Sequence, residues 1–323
     1  MSKDKVWVGF DLGGTKMLAK IFDDNYQTLG KAKLKTEGYR GSEAGLERME
    51  QVINDALESA GATAEQVQVI GVGCPGPINP NKGKIVEAPN LGWSNVPVAK
   101  KLGKAFDCDV AVCNDVDAGV YGEFHLGAAK GAHSAVGIFP GTGIGAGAVI
   151  GGQMVQGGNL SCMELGHIPL FPETSGSGEH GTTLELECSR LKIASEAARA
   201  AYRGQAPHLL ELCGTDLSKI TSGKLAKSIK AGDKAIEEIV ERSATLLGCG
   251  VATVVHLLAP DIFVLGGGLV EALPELYLGT VEKSARSRVL ETYKDSFKIV
   301  TAELGDDAGV IGAAAWARNR FGV

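Results

Sequence analysis

Two stretches far apart in this chain share one layout: an apolar run, a glycine turn and an apolar return. Val6-Trp7-Val8-Gly9-Phe10 leads into Asp11-Leu12-Gly13-Gly14-Thr15-Lys16, and Met17 to Phe22 follows. Val136-Gly137-Ile138-Phe139-Pro140-Gly141-Thr142-Gly143 repeats the layout of Val8 to Thr15, with Gly145 to Ile150 as its return strand. Each copy reads as a β-hairpin. Glycines, having no Cβ, let backbone N–H groups converge on a bulky anion. A single Gly-Gly turn fits a plain polar hairpin equally well. The repetition is what constrains the fold. In the first copy Asp11 has the chemistry to hold a metal through water, and Thr15 and Lys16 to donate to phosphate oxygens.

The rest of the pattern extends the duplication. Ser42 to Gly61 has helical spacing of apolar residues, and Val67 to Val72 is a buried strand ending in Gly73-Cys74-Pro75-Gly76-Pro77. Val96 to Phe106 is amphipathic and helical. Val110 to Cys113 is a short strand that delivers Asn114-Asp115, with a helix through Phe124 behind it. After the second hairpin come a long helix from Lys234 to Leu258 and the strand Ile262 to Leu265. The turn Gly266-Gly267-Gly268 and a final helix from Ala308 to Phe321 complete the pattern. Hairpins followed by alternating helices and strands, twice over, predict an α/β protein of two related lobes. The expected boundaries are a smaller lobe at 1–118 and a larger one at 119–305, with the last helix, about 306–323, packing back on the first. A ligand in a cleft between such lobes would meet both glycine turns.

Charge and composition narrow the partners. The formal net charge is −6 and no Lys/Arg block occurs, which argues against a nucleic-acid surface. The 45 glycines cluster at strand-to-turn junctions. The seven cysteines include no C-x-x-C pair, and the start, Met1-Ser2-Lys3-Asp4-Lys5, runs directly into a strand. A reducing cytoplasm is the expected location. Two uncharged stretches, Ser134 to Met163 and Ser243 to Pro260, are expected to be buried core rather than membrane spans. Glycines and Pro140 break the first, and His256 with two glycines interrupts the second. No G-x-x-x-x-G-K-[ST] occurs, so a P-loop is excluded. The Gly141 region enters a strand rather than a helix, which argues against a dinucleotide fold.

The order of motifs resembles the actin/hexokinase/heat-shock-ATPase superfamily and, within it, the ROK family of repressors and sugar kinases. The matching pieces are Asp11 to Lys16, Gly73 to Pro77, Pro89-Asn90-Leu91-Gly92-Trp93, Asn114-Asp115, Gly141 to Gly145, Glu164-Leu165-Gly166-His167, Gly266 to Gly268 and Asp307-Ala308-Gly309. Bacterial glucokinases are the subgroup they resemble most. The resemblance implies two ribonuclease-H-like lobes of actin-like ATPase type with an interlobe cleft. It implies that Asp11 orients the shell of a Mg²⁺ ion, and that Gly13, Gly14, Thr15 and Lys16 meet phosphate. Gly141, Thr142 and Gly143 then form a second phosphate site, and Gly266, Gly267 and Gly268 the adenosine-side turn.

A sugar hydroxyl needs a base close by as it attacks. Asp115, following a buried strand, is the candidate, and Asn114 beside it can hold a neighbouring hydroxyl. Both residue types are also good N-caps for the helix that follows, and Asp117 is a nearby competitor. The family pattern places the base immediately after the Asn. Asn90, Glu164, His167 and Glu185 match the family's hexose contacts; Glu164 and His167 share a face if their stretch is helical.

One departure from the family matters. Many ROK proteins follow Glu-x-Gly-His with a zinc knot of three cysteines, for which that His is also a ligand. Counted back from Glu185, those cysteine positions fall on Gly176, Gly178 and Thr183, while Cys162 and Cys188 lie scattered nearby. No zinc is expected, with the loop Pro172 to Thr182 held by other means or mobile. The resemblance thus implies an ATP- and Mg²⁺-dependent hexose kinase, glucokinase-like at the 6-hydroxyl of glucose, and a homodimer. Another hexose or N-acetylhexosamine as acceptor, or polyphosphate as donor, remains open. A sugar-sensing repressor is the competing class, but it would carry a DNA-binding domain ahead of the first turn, where only ten residues stand. Asp11, Asp115 and both turns argue against a non-catalytic sensor.

Overall fold

The computed structural model describes residues 5–171 and 182–323. The expectations for residues 172–181, Gly176 and Gly178 among them, fall outside the described residues. The chain begins with β1 (Val6–Leu12), β2 (Lys16–Phe22), β3 (Thr28–Lys35), α1 (Ser42–Ala60) and β4 (Val67–Cys74). Three short strands follow, β5 (Ile78–Asn79), β6 (Lys84–Ala88) and β7 (Trp93–Val96), then α2 (Val98–Phe106), β8 (Asp109–Asn114) and α3 (Asp115–Leu126). Next come β9 (Ser134–Pro140), β10 (Ile144–Ile150), β11 (Gln153–Met154), β12 (Pro169–Phe171) and β13 (Thr182–Thr183). The helices α4 (Leu184–Cys188), α5 (Arg190–Tyr202), α6 (Pro207–Cys213), α7 (Ser222–Ala231) and α8 (Lys234–Leu258) lead to β14 (Ile262–Leu265). The chain ends with α9 (Gly268–Ala272), α10 (Pro274–Arg286), β15 (Lys298–Thr301) and α11 (Ala308–Phe321).

Local chemistry sets several of these boundaries. Gly61 stops α1 in the left-handed region, its N–H bonded to Glu58 and Leu57 carbonyls. Pro97 precedes α2, and Pro260 follows the left-handed Ala259 that ends α8. No described helix is long and apolar enough to cross a membrane.

One five-stranded sheet runs β3-β2-β1-β4-β8 and a second runs β11-β10-β9-β14-β15. In the first, β1 is antiparallel to β2 and parallel to β4, which is parallel to β8. In the second, β14 is parallel to both β9 and β15. The same order recurs, as two related α/β halves require.

The chain divides into two compact units. One takes residues through Gly131, then Gly147–Cys162 and Glu303–Val323; the other takes Ala132–Ala146 and Met163–Ala302. The division therefore differs from a boundary at 118, which would cut α3. That helix continues past Ala118 because Gly119 and Gly122, though weak helix formers, are buried on it.

In the first unit, strand alternation separates two packing faces. Val8, Phe10, Leu12, Ile70 and Val72 are fully buried with Met49, Val52 and Ile53 of α1. Gly9 and Gly71, register partners on β1 and β4, face the other way, toward α11. A Cβ on Gly9 would overlap the Val310 carbonyl oxygen, and one on Gly71 the Ala313 carbonyl oxygen. Gly312 and Gly122 let α11 and α3 approach equally closely. Not all the glycines serve turns, then: these four sit inside strands and helices, where backbone meets backbone. Replacing Gly71 by Ala is expected to cost about 3 kcal/mol in urea unfolding, since the obstacle is main chain rather than a movable side chain. Gly279→Ala, in open space on α10, is the control and should be neutral or slightly stabilising. Equal stability of Gly71→Ala and the control would refute this packing.

Candidate active site

In the first unit the strand register assembles the site. Asp11 on β1 pairs with Gly73 on β4, which pairs with Cys113 on β8, so Asp11 and Asn114-Asp115 emerge at the same end of parallel strands. Two strand spacings separate them, about 10 Å. Gly73 between them has no side chain, and the Asp115 main chain comes close to it. Cys74, fully buried, has its thiol pushed well up by burial and by the Asp115 and Asp11 charges, which places it near both carboxylates.

The first glycine turn is fastened from inside. Gly13 N–H donates to the Lys16 carbonyl at 3.0 Å, closing the turn. The buried Thr36 takes two more of the turn's carbonyls: its Oγ1 donates to Gly13 O at 2.6 Å and its N–H to Thr15 O at 2.9 Å. The N–H groups of Gly14 and Thr15 are left outside the turn's own hydrogen bonds. Gly14, Thr15 and Lys16 are exposed, and Asn90, on the turn Pro89–Leu91, stands beside Gly14. Lys16 Nζ rests 3.2 Å from Asp306, an exposed pair and hence a weak one. Lys20 is different: nearly buried on β2, it meets Asp307 at 2.8 Å and pins the start of α11. Gly309 of that helix lies against the Asp11 carboxylate.

Burial raises the Asp11 carboxyl from its ordinary 3.8 to about 6; Lys16 opposes the shift and Asp306 adds to it. Asp115 is half-buried at the first position of α3, with its Oδ1 accepting from Val116 N–H at 2.9 Å. Asn114 serves as the N-cap: its Oδ1 accepts from Val116 and Asp117 N–H, and its Nδ2 donates to Gly76 O at 3.2 Å. The capping alternative is thus realised by Asn114, leaving Asp115 as the next side chain along.

The second unit gathers the other predicted residues. Gly141 N–H donates to Gly143 O at 2.8 Å, closing the second turn. Glu185, in the first turn of α4, accepts from Ile144 N–H at 2.8 Å, and a Cβ on Gly143 would overlap its carboxylate. Through Oε2 its carboxylate braces the glycine turn. Gly166 packs against Ile144 and Glu185, which brings the Glu164–His167 turn to the same place. Leu165–His167 is a 3₁₀ turn, with His167 N–H bonded to Glu164 O. Residues three apart eclipse in that geometry, so Glu164 and His167, both exposed, do share a face.

Gly266 N–H donates to Ile138 O, and Gly266 packs on the Phe139 ring while Gly267, left-handed at φ +93°, approaches Pro140 O. The third glycine turn thus abuts the strand that leads into the second. Beside it lies a cavity of about 530 Å³ lined by Arg190, Ser218, Thr221, Ser222, Gly268 and Glu271, among others. Its size suits a small organic ligand. Sequence reasoning missed Arg190, Thr36 and this Ser/Thr set. The only signal for the last is the Ser/Thr-rich stretch Thr215 to Ser222, which runs into the start of α7. Thr183, at a family cysteine position, uses its Oγ1 to accept from Leu186 N–H. Among the described residues no three His, Cys, Asp or Glu side chains cluster to hold a metal.

A sheet order that occurs twice, with glycine turns at the strand ends, defines an α/β protein of the actin-like ATPase class. The comparisons narrow this. The ROK family profile matches residues 7–320. A glucokinase of Halalkalibacterium halodurans is 30% identical over 312 residues, 96% of this chain and 94% of that protein. The crystal structure of a ROK hexokinase from Thermus thermophilus superposes with a TM-score of 0.82 at 30% identity, covering 98% of this chain and 99% of that one. A ROK family glucokinase from Streptomyces griseus, crystallised with glucose and AMPPNP, gives 0.79 at 28% identity, covering 97% and 99%. The chain belongs to the ROK family.

Proposed function

We propose that this chain is an ATP-dependent hexose kinase acting on the 6-hydroxyl of glucose, with Asp115 as general base. The observation that carries this reading is the register Asp11–Gly73–Cys113, which brings Asp11 and Asn114-Asp115 to one end of one sheet. Support comes also from relatives whose names are glucokinase and hexokinase.

Phosphoryl transfer passes through a loose transition state, so the protein mainly positions reactants and balances charge. The N–H groups of Gly14 and Thr15, with Lys16, are suited to phosphate oxygens, and so, in its own unit, is the Gly141–Gly143 turn. The nucleoside would enter the cavity beside Gly268. Asn90, Glu164 and His167 are polar, exposed side chains suited to sugar hydroxyls. In the reaction the 6-hydroxyl oxygen bonds to the γ-phosphorus, its proton passes to Asp115, and the bond to the β–γ bridging oxygen breaks toward ADP.

A divalent cation fits Asp11. Burial disfavours its ionised form, which a cation would stabilise, and Mg²⁺ is commonly held by one carboxylate, water and substrate phosphates. When bound, the ion supplies charge neutralisation on the phosphates. The proposal includes a cytoplasmic homodimer and no zinc, supported by family membership and by Thr183 at a zinc-ligand position.

The test is a coupled kinase assay of purified protein over glucose, mannose, fructose, N-acetylglucosamine and N-acetylmannosamine, with ATP or polyphosphate as donor. Glucose with ATP should give the highest kcat/KM. A higher value for another sugar or for polyphosphate would reassign the acceptor or donor, and no transfer to any sugar would leave the sensor reading.

A further inference from the structure

Arg190 opens α5 and reaches back to the second glycine turn. Its N–H donates to Gly141 O at 2.9 Å, and its Nη2 donates to the Thr142 hydroxyl at 3.2 Å. The same side chain lines the cavity beside Gly268, and among the described residues it is the only cation that does so. The one acid there is Glu271. Among the described residues Arg190 makes no ion pair; its partner is a neutral hydroxyl on the turn itself. A single bond to a hydroxyl uses one of five guanidinium N–H donors and is easily exchanged for a charged acceptor.

The Gly141–Gly143 turn is the phosphate site of the kinase reading, the cavity of about 530 Å³ has room for a nucleoside, and Arg190 touches both. It therefore stands where a phosphate chain joins a nucleoside. We propose that Arg190 binds the β-phosphate of the nucleotide donor and of the ADP product. This rests on the kinase reading above and assigns it a residue that family motifs do not supply. When the γ-phosphorus leaves the bridging oxygen, the electron pair stays on the β-phosphate of ADP, beside this guanidinium. The planar fork matches two phosphate oxygens at once, which a lysine ammonium does not.

The test is calorimetric titration of the full chain with Mg·ADP and with AMP, for wild type, Arg190→Met and Arg190→Lys. A charge-assisted bond to a phosphate predicts a rise in the ADP Kd of about tenfold to a hundredfold in Arg190→Met, with AMP affinity within about twofold of wild type. Arg190→Lys should fall between. The backbone bond to Gly141 survives both substitutions, so a general loss of fold is not built into them. ADP binding unchanged in Arg190→Met, or an equal loss for ADP and AMP, would overturn the assignment. Wild-type protein that binds no ADP would instead refute the nucleotide reading on which it rests.

Discussion

Asp115→Asn is expected to lower kcat by about a thousandfold while leaving glucose affinity within a few-fold of wild type. A positioned base contributes on the order of 10²–10⁴ to such a step, and an amide cannot accept the proton. Two features favour a folded variant. The bond from Val116 N–H to Oδ1 can be kept by an amide oxygen, and the cap of α3 belongs to Asn114, not Asp115. Stability should therefore hold, and calorimetry with glucose should show binding. A coupled assay supplies kcat. Turnover near wild type would remove Asp115 as the base and turn attention to Asp117, two residues on and buried.

Asp11→Asn carries the second large effect, and it has two opposite signs. Turnover with Mg·ATP should fall by at least a hundredfold, because the carboxylate that would orient the metal shell is gone. The folded protein should nevertheless become more stable at pH 7.5. Burial raises the Asp11 carboxyl to about 6 from 3.8, so the ionised group is worse off folded than unfolded. At 1.36 kcal/mol per unit of pKa, the cost at neutral pH is about 3 kcal/mol. The sign follows from proton linkage: the folded state binds the proton more tightly, so this cost is complete above pH 6. It shrinks as pH falls through 6 and is gone below 3.8. The advantage of Asp11→Asn in urea unfolding should follow the same course, large at pH 7.5 and absent near pH 3.5. A variant less stable than wild type at pH 7.5 would contradict the burial argument.

What the sequence disclosed depended on whether a feature was local. The helix Lys234–Leu258, the strand Ile262–Leu265 and the helix Ala308–Phe321 match their sequence readings residue for residue, since periodicity and terminal residues lie within each segment. The strands β5 and β6 escaped notice because polar residues interrupt them, unlike the wholly apolar Ile262–Leu265. Nothing in Asp115 to Leu126 marks a stop, and α3 runs on through its glycines past Ala118. Among site residues, Asp11 and the glycine turns were legible as motifs. The bond from Ile144 N–H to Glu185 spans 41 positions, and only the fold reveals it. Arg190 was hidden for the same reason: its link to Thr142 crosses 48 positions. Thr36 looked like any strand-end threonine until its two bonds to the first turn were seen.

The central claim is that one folded chain moves the γ-phosphoryl of ATP to a hexose hydroxyl. Phosphorus NMR of the purified protein with Mg·ATP and glucose follows that bond directly. The account predicts loss of the γ signal, growth of ADP and of a 6-phosphate ester, and no change when glucose is omitted. Release of inorganic phosphate without a sugar ester, or an unaltered ATP spectrum with folded protein and bound glucose, would contradict it.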